Sequence, residues 1–556
     1  MTSHRCLGSA LLSLLAFLSI AAGASAAPGV ATPKAAPVDP KAGAHSDFTV
    51  SFDVTDLGAV GAGGDDLKSL RLDLPPGLVG NPTATGGVCT ADQLAADACP
   101  ATTKVGTTVT TATVLLVQQD IAGDIYNVTP GAGEAARLGI VLRPAGGLLG
   151  KVVLQSPVTV RDTDGGLRSV VNDIPATSNG LDLRIDRMSL TLLGKLASGK
   201  SFMTNPTSCG VAPTTITIGT YAGATASATS SFTPTNCDAL PFGPKISAVI
   251  GSTRDDVRSG AQPAVTVTVT QEDGEANAKS VAVQLPAGFG ASLTALGNAC
   301  PLATYQAGAC PATSVMGTAT ATTPLLATPL TGPVTFVSDP SAGLPQLRVA
   351  LRGAFAVNLT GVVTIGTSGG LVNTFDGIFD VPLSKFVLSL AAGPTSPVKV
   401  SRDLCLPGRN GLEGTFVAHS GKTATATTTA TLPGCDQIRR TSLSARLKKK
   451  GPVLSLTATN LDRPVQSLAF RLPKGLHFTK RAAKRTHATL SGSGVKAKVR
   501  IVKGLMTVTL SGEGADKVEL TLRKGALRRG KKVTRRLRVA VGLVGVAAKK
   551  ATVKLK

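Results

Sequence analysis

The groups in this chain best suited to chemistry are its cations, and they crowd toward one end. Lys480, Arg481, Lys484 and Arg485 fall in one short stretch, and Arg528, Arg529, Lys531 and Lys532 in another. Between them Lys496, Lys498 and Arg500 alternate with Val495, Ala497, Val499 and Ile501, a period of two that puts the three cations on one face of a strand. Residues 437–556 hold 31 Lys and Arg against 4 Asp and Glu, a net charge of +27, whereas the whole chain holds 57 against 33. A solvated surface ordinarily mixes both signs, so this excess points to a polyanion bound through counterion release. The segment's only aromatics are Phe470 and Phe478, too few for a platform on which bases or sugars stack. The expected contact is therefore electrostatic, to an anionic cell-wall polymer or a lipid surface, with duplex DNA as the alternative.

Other patterns are weaker. Gly366-Thr367-Ser368-Gly369-Gly370 has the G-x-S-x-G form of a hydrolase nucleophile elbow. The corresponding stretch of an earlier repeat, Asp162-Thr163-Asp164-Gly165-Gly166, keeps the two glycines and replaces the serine, which a hairpin turn tolerates and a nucleophile does not. Asp162 and Asp164 resemble the opening of a calcium loop, yet the closing glutamate is missing and the flanks read as strands. His45, His419, His477 and His487 are scattered, without cysteine or carboxylate partners at metal-ligand spacing. These patterns point to a protein with no catalytic centre, no metal and no cofactor. A small-ligand binder or hydrolase using a cleft between repeats is the alternative, distinguished by convergent ionisable groups with shifted pKa values.

The elements that must position these residues are set out by an internal repeat. Residues 69–78 read SLRLDLPPGL and are followed by CTADQLAADACPATTKVGT; residues 280–289 read SVAVQLPAGF and are followed by CPLATYQAGACPATSVMGT. The offset from the LPxG glycine, Gly77 or Gly288, to the first cysteine is the same in both. The first half returns as SLAFRLPKGL at 467–476, without cysteines. Proline cannot donate to a ladder and glycine permits a turn, so each copy reads as a strand with its terminal turn. A sortase signal would need LPxTG before an apolar stretch and a basic tail, which none of the copies has.

The opening MTSHRCLGSALLSLLAFLSIAAGASA has a basic start, an apolar run and a small-residue end at Ala24-Ser25-Ala26, the form of a secretory signal over 1–26. Its removal takes Cys6 and leaves Cys89, Cys99, Cys209, Cys237, Cys300, Cys310, Cys405 and Cys435. An even number in an exported chain predicts disulfides. The repeated spacer favours Cys89–Cys99 and Cys300–Cys310, leaving Cys209–Cys237 and Cys405–Cys435. Thr90 and Gln93 form a capping-box pattern, which predicts a helical turn between the first pair. A helix filling that interval would part the two Cα atoms by about 15 Å, against the roughly 4.4–6.8 Å a disulfide needs. The segment must double back, and Gly308 permits the reversal in the second copy.

With Gly 62, Pro 34, no Trp and a 3% aromatic share in 556 residues, short strands and turns are favoured over long helices. The alternation of Phe48, Val50, Phe52 and Val54 marks a half-buried strand, and Val518, Leu520 and Leu522 mark another in the basic segment. The expectation is an all-β chain of tandem β-sandwich-like repeats: an Ala/Pro-rich linker over 27–46, two disulfide-closed units over 47–243 and 244–436, and a smaller basic β-sandwich over 437–556.

The LPxGL turn, the C-x9-C-P pair, NPTSCG with its closing cysteine and the basic terminal unit resemble large secreted repeat proteins of soil actinobacteria. The resemblance spans most of the chain beyond the leader and implies repeat architecture, with no catalytic residues. One departure is local: the second unit has VSRDLCLPG where the first has TNPTSCG. Together these readings anticipate a secreted or cell-surface, non-enzymatic structural or adhesion-type protein of the cell envelope, with its basic unit against an anionic surface; extracellular DNA binding is a further alternative.

Overall fold

The computed structural model describes residues 27–58, 65–114, 117–147, 150–366, 370–406, 408–436, 441–448, 451–460, 462–491 and 494–556. The leader expected over 1–26 lies outside them, as does Ser368. Apolar residues that alternate with Thr, Ser and charged residues give strands almost throughout, because only a pleated strand buries every second side chain.

The first unit is a twelve-stranded sheet with antiparallel neighbours along its main path. Along that path the order is Gly29–Pro37, Phe48–Thr55, Leu181–Leu192, Lys104–Val114, Val117–Val128, Ala136–Leu142, Val152–Val160, Leu167–Val171, Leu67–Asp73, Ala212–Thr220 and Thr225–Phe232, and the twelfth strand, Thr177–Ser178, pairs off it with Leu181–Leu192. The second unit, from Lys245–Ile250 to Thr423–Thr429, repeats that order strand for strand. Each sheet curls until its ends meet, giving a flattened barrel. In the first, Ala42 N–H donates to the Thr235 carbonyl at 2.8 Å and Thr235 N–H to the Pro40 carbonyl at 3.0 Å. In the second, Ile250 N–H donates to the Thr431 carbonyl at 3.0 Å and Thr431 N–H to the Ala248 carbonyl at 2.8 Å. These contacts cover the two ends of each path with one another, which shields edges that could otherwise template aggregation.

The stretch expected to be a linker is in fact part of the first barrel. Gly29–Pro37 pairs with Phe48–Thr55, with the register slipping between Ala31 and Lys34 around Pro33. A terminal strand of the path tolerates prolines that an interior strand would not. Its apolar side chains are small, so the periodicity that marks the other strands is faint; Ala35 is nonetheless fully buried.

All three LPxG copies end a strand, respectively Leu67–Asp73, Ala278–Gln284 and Val465–Arg471. Each turn closes with the same hydrogen bond, from Leu78, Phe289 or Leu476 N–H to the Pro75, Pro286 or Pro473 carbonyl. Leu72, Val283 and Phe470 occupy the same offset within those strands. The glycines serve different ends: Gly77 adopts φ +86°, which an L side chain rarely does, whereas a Cβ on Gly288 would fall 2.4 Å from Leu404 Cδ2.

Four disulfides close the two barrels: Cys89–Cys99, Cys209–Cys237, Cys300–Cys310 and Cys405–Cys435, with Cα separations of 5.2, 5.9, 5.6 and 5.5 Å. The helix Ala91–Ala96 carries the Thr90/Gln93 capping box, and Asp97 in the left-handed region turns the chain back. In the second copy Gly308, at φ +68°, follows the helix Leu302–Gln306. On the chain-entropy relation a double Cys209→Ala/Cys237→Ala variant should lose roughly 3 kcal/mol, read as a lowered urea midpoint of the first barrel with the second unchanged.

The third unit is a β-sandwich. A four-stranded sheet (Ser442–Lys448, Val453–Thr459, Lys517–Leu522, Thr486–Leu490) packs on a five-stranded one (Ala497–Val502, Leu505–Leu510, Val465–Arg471, Arg536–Leu543, Val546–Lys554). Leu454, Leu456, Leu468, Phe470, Val518, Leu520 and Leu522 fill the space between them.

Candidate functional site

The basic residues of the third unit are gathered by a small two-stranded sheet in which Leu476–Phe478 pairs with Leu527–Arg529. Beyond it the loops are laced together: Thr479 N–H donates to the Ala526 carbonyl at 3.0 Å, Arg523 N–H to the Arg485 carbonyl at 3.0 Å, and Arg485 Nη1 to the Lys524 carbonyl at 2.8 Å. Lys480, Arg481, Lys484 and Arg485 are thereby brought beside Arg523 and Lys524, with Arg528, Arg529, Lys531 and Lys532 on the adjoining strand and loop; all ten are exposed. The strand Ala497–Val502 runs beside the turn Ala483–Arg485. Lys498 and Arg500 point outward while Ala497, Val499 and Ile501 face the core, and Lys496, just ahead of the strand, keeps the same alternation. Across the sheet Lys498 and Arg500 are level with Thr509 and Thr507, whose short side chains leave both cations open to a ligand.

The four acids of this unit lie elsewhere. Asp462, fully buried, pairs with Arg258 of the second barrel. Glu513 faces Arg409 at 3.2 Å and Arg402 at 3.8 Å, also from that barrel. Glu519 pairs with Lys517 at 2.8 Å. Burial pushes the Asp516 carboxyl above its usual range, the nearby Asp403 carboxylate adds to the rise, and Arg258 and Arg254 oppose it. Three acids thus serve the junction with the second barrel, and the outward parts of the unit are left almost uniformly positive.

That junction predicts a pH dependence. An acid whose folded pKa is raised contributes stability that is complete below its unfolded value, here 3.8, and that is lost as pH rises through the folded value. Asp516→Asn should therefore match the parent near pH 3.5 and equal or exceed it at pH 7, the two curves parting above about pH 4. Because Asp516 keeps some solvent access the divergence is shallow, and urea midpoints of the third unit across that range would read it.

Sequence reasoning missed the side chains that join the units. In the first barrel the turn before Cys209 docks on the second: Thr207 N–H and Oγ1 donate to Asp380 Oδ2 and Oδ1 at 2.9 and 2.5 Å, Ser208 N–H at 3.3 Å, and Asn277 Nδ2 completes the set at 2.8 Å. A Cβ on Gly77 would lie 2.5 Å from Asp380 Oδ2. In the second barrel the equivalent turn holds Arg402 and Asp403. Buried Arg254 makes a bidentate pair with Asp403 and donates to Cys405 Sγ at 3.3 Å. The two turns differ in sequence because each faces a different next unit; only a comparison of the repeats with the junctions in view would have found them.

The calcium pattern resolves as a hairpin turn, and of the hydrolase pattern Gly366 and Gly370 are described. Gly366 N–H donates to the Gly370 carbonyl at 2.8 Å, between Val357–Ile365 and Leu371–Phe375. Asp164 accepts from Arg161 Nε and Nη2 at 3.0 and 2.8 Å and from Gly166 N–H at 3.0 Å, so its carboxylate is already committed. His45 Nδ1 lies 3.0 Å from Thr204 Oγ1, and His419 Nε2 lies 2.8 Å from the Ile378 carbonyl.

Both barrels also enclose apolar space. A cavity of about 190 Å³ lies in the first, between residues such as Phe48, Leu72 and Leu138, and is capped by Leu325, Phe379 and Pro382 of the second unit. A second, of about 140 Å³, lies within the second barrel. Ala278, Leu359, Ile378, Leu383 and Phe386 line both. At roughly 24 cal/mol per Å³, the first alone would destabilise the fold by about 4.6 kcal/mol if left empty.

No family model matches the chain, and no curated protein matches it. Among solved structures, a tetra-tandem repeat from the extending region of a large adhesion protein aligns over 95% of this chain and 97% of its own, at 12% identity and a TM-score of 0.22. The T6 backbone pilin of serotype M6 Streptococcus pyogenes aligns over 87% and 76%, at 10% identity and a TM-score of 0.18. A bacterial ice-binding adhesin of 1.5 MDa, described for its retention at the host cell surface, aligns over 95% of each chain, at 8% identity and a TM-score of 0.14. Scores this low support no inference about function.

Proposed function

We propose that this is an exported, non-enzymatic structural protein of the cell envelope, of the adhesion type, whose third unit holds it to a polyanionic surface. The observation that supports this reading is the segregation of charge: three of the unit's four acids turn toward the second barrel, while Lys480, Arg481, Lys484, Arg485, Lys496, Lys498, Arg500, Arg528, Arg529, Lys531 and Lys532 face outward. Four disulfides suit an oxidising compartment. The binding partner is a cell-wall polyanion or an anionic lipid surface, met through charge and not through base or sugar stacking.

The test is charge reversal in the full chain. Lys480→Glu, Arg481→Glu, Lys531→Glu and Lys532→Glu together should lower affinity for wall fragments or anionic vesicles by roughly 100-fold or more, since each cation near such a surface contributes about 1 kcal/mol. Lys496→Glu, Lys498→Glu and Arg500→Glu together should weaken binding without unfolding the sheet, because their side chains lie opposite the core face. Co-sedimentation alongside circular dichroism reads both. Binding to duplex DNA alone would move the assignment to an extracellular DNA-binding protein, and binding to none of the three would overturn the anchoring role.

A further inference from the structure

We propose that the two barrels share one apolar duct that takes up a single long hydrocarbon chain, that of a free fatty acid or of a membrane lipid. The two cavities abut: Ala278, Leu359, Ile378, Leu383 and Phe386, all of the second unit, line both, and we assign these five as the neck of the duct. Water has little reason to fill the first chamber, and in the second the one buried polar atom left without a partner is Asn373 Oδ1, among the described residues. The polar groups in the first wall already satisfy one another, with Ser156 Oγ 2.6 Å from Ser169 Oγ, and Asn127 Nδ2 donating to the Pro82 carbonyl at 3.0 Å and to Thr85 Oγ1 at 2.8 Å. A buried water needs two to four polar partners. Interiors are otherwise packed to crystal density, and apolar cavities of this size hold small hydrocarbons. Two chambers in line with a neck between them suit a linear chain better than a compact ring, because a flexible chain occupies both at once. The first chamber is closed only when the second unit supplies Leu325, Phe379 and Pro382, so the Thr207–Asp380 lock and the duct belong to one assembly.

The test uses the full chain, purified without detergent and stripped of lipid with an organic-phase resin. Binding of saturated fatty acids from about 8 to about 18 carbons should tighten by roughly fourfold for each methylene buried, at one acid per chain, and should stop tightening once the chain outgrows the duct. Ala278→Leu narrows the neck, so it should weaken long acids at least tenfold and leave short ones, held in one chamber, unchanged. Leu383→Ala widens the neck and should keep long-chain binding. Mass spectrometry of the unstripped protein separates the sources: either a free acid or a diacyl lipid, at about one per chain, supports the duct. Absence of saturable binding overturns it, as does tightening without a limit in chain length, which would mean surface adsorption. The wild-type chain-length series decides the matter even if Ala278→Leu fails to fold.

Discussion

Raising salt from about 50 mM to about 200 mM should weaken binding of the full chain to a polyanion by roughly 10³- to 10⁵-fold, provided six to ten cations each neutralise one anionic group. Ten exposed bases are held together by the small sheet Leu476–Phe478/Leu527–Arg529 and the loops laced to it, so that number is available on one surface. Screening at physiological ionic strength acts over about 8 Å, and neighbouring cations within that distance repel one another in the free protein. A polyanion relieves the repulsion and releases its own counterions. A plot of log affinity against log salt, from sedimentation or titration calorimetry, should be linear and steep, with little preference among polyanions of equal charge density. A flat plot would mean that directed hydrogen bonds carry the contact, and the charge-segregation reading would fail.

Replacing Asp380 by alanine should destabilise the joined barrels by roughly 3 kcal/mol or more, because it removes the one acceptor that several buried donors share. Asp380 is 4% exposed and accepts four hydrogen bonds, three of them from the first unit. Its loss leaves the Thr207 and Ser208 amides and the Asn277 side chain without their acceptor in a space water enters poorly, and each orphaned donor costs about 1–3 kcal/mol. Asp380→Asn keeps the shape but turns a donor group toward other donors, so it should recover only part of the loss. Hydrogen exchange at the Thr207 and Ser208 amides should speed up in both variants, while amides inside each barrel hold. A change under about 1 kcal/mol, within the spread of ordinary point substitutions, would show that the units are held by apolar contact alone.

Much of the architecture was legible in local pattern. Alternation at Phe48–Val54 and Val518–Leu522 identified strands because period two is a property of the chain itself. The LPxG copies identified strand ends because proline and glycine act on their own backbone, and the Thr90/Gln93 box is satisfied within one helical turn. The stretch at Gly29–Pro37 looks like a linker in sequence because its small residues carry no periodic signal; its pairing with Phe48–Thr55 comes from the neighbour and not from itself.

The all-β class, the repeat and the concentration of positive charge are all legible along one dimension, since each depends on residue type and spacing. How the charge is deployed depends on which residues the fold brings together. Glu513 and Asp462 meet Arg409 and Arg258 across more than a hundred residues, and Thr207 meets Asp380 across 173. Contacts at such separations leave no periodic trace, because either partner is an ordinary polar residue until the fold brings the other beside it and removes the water between them.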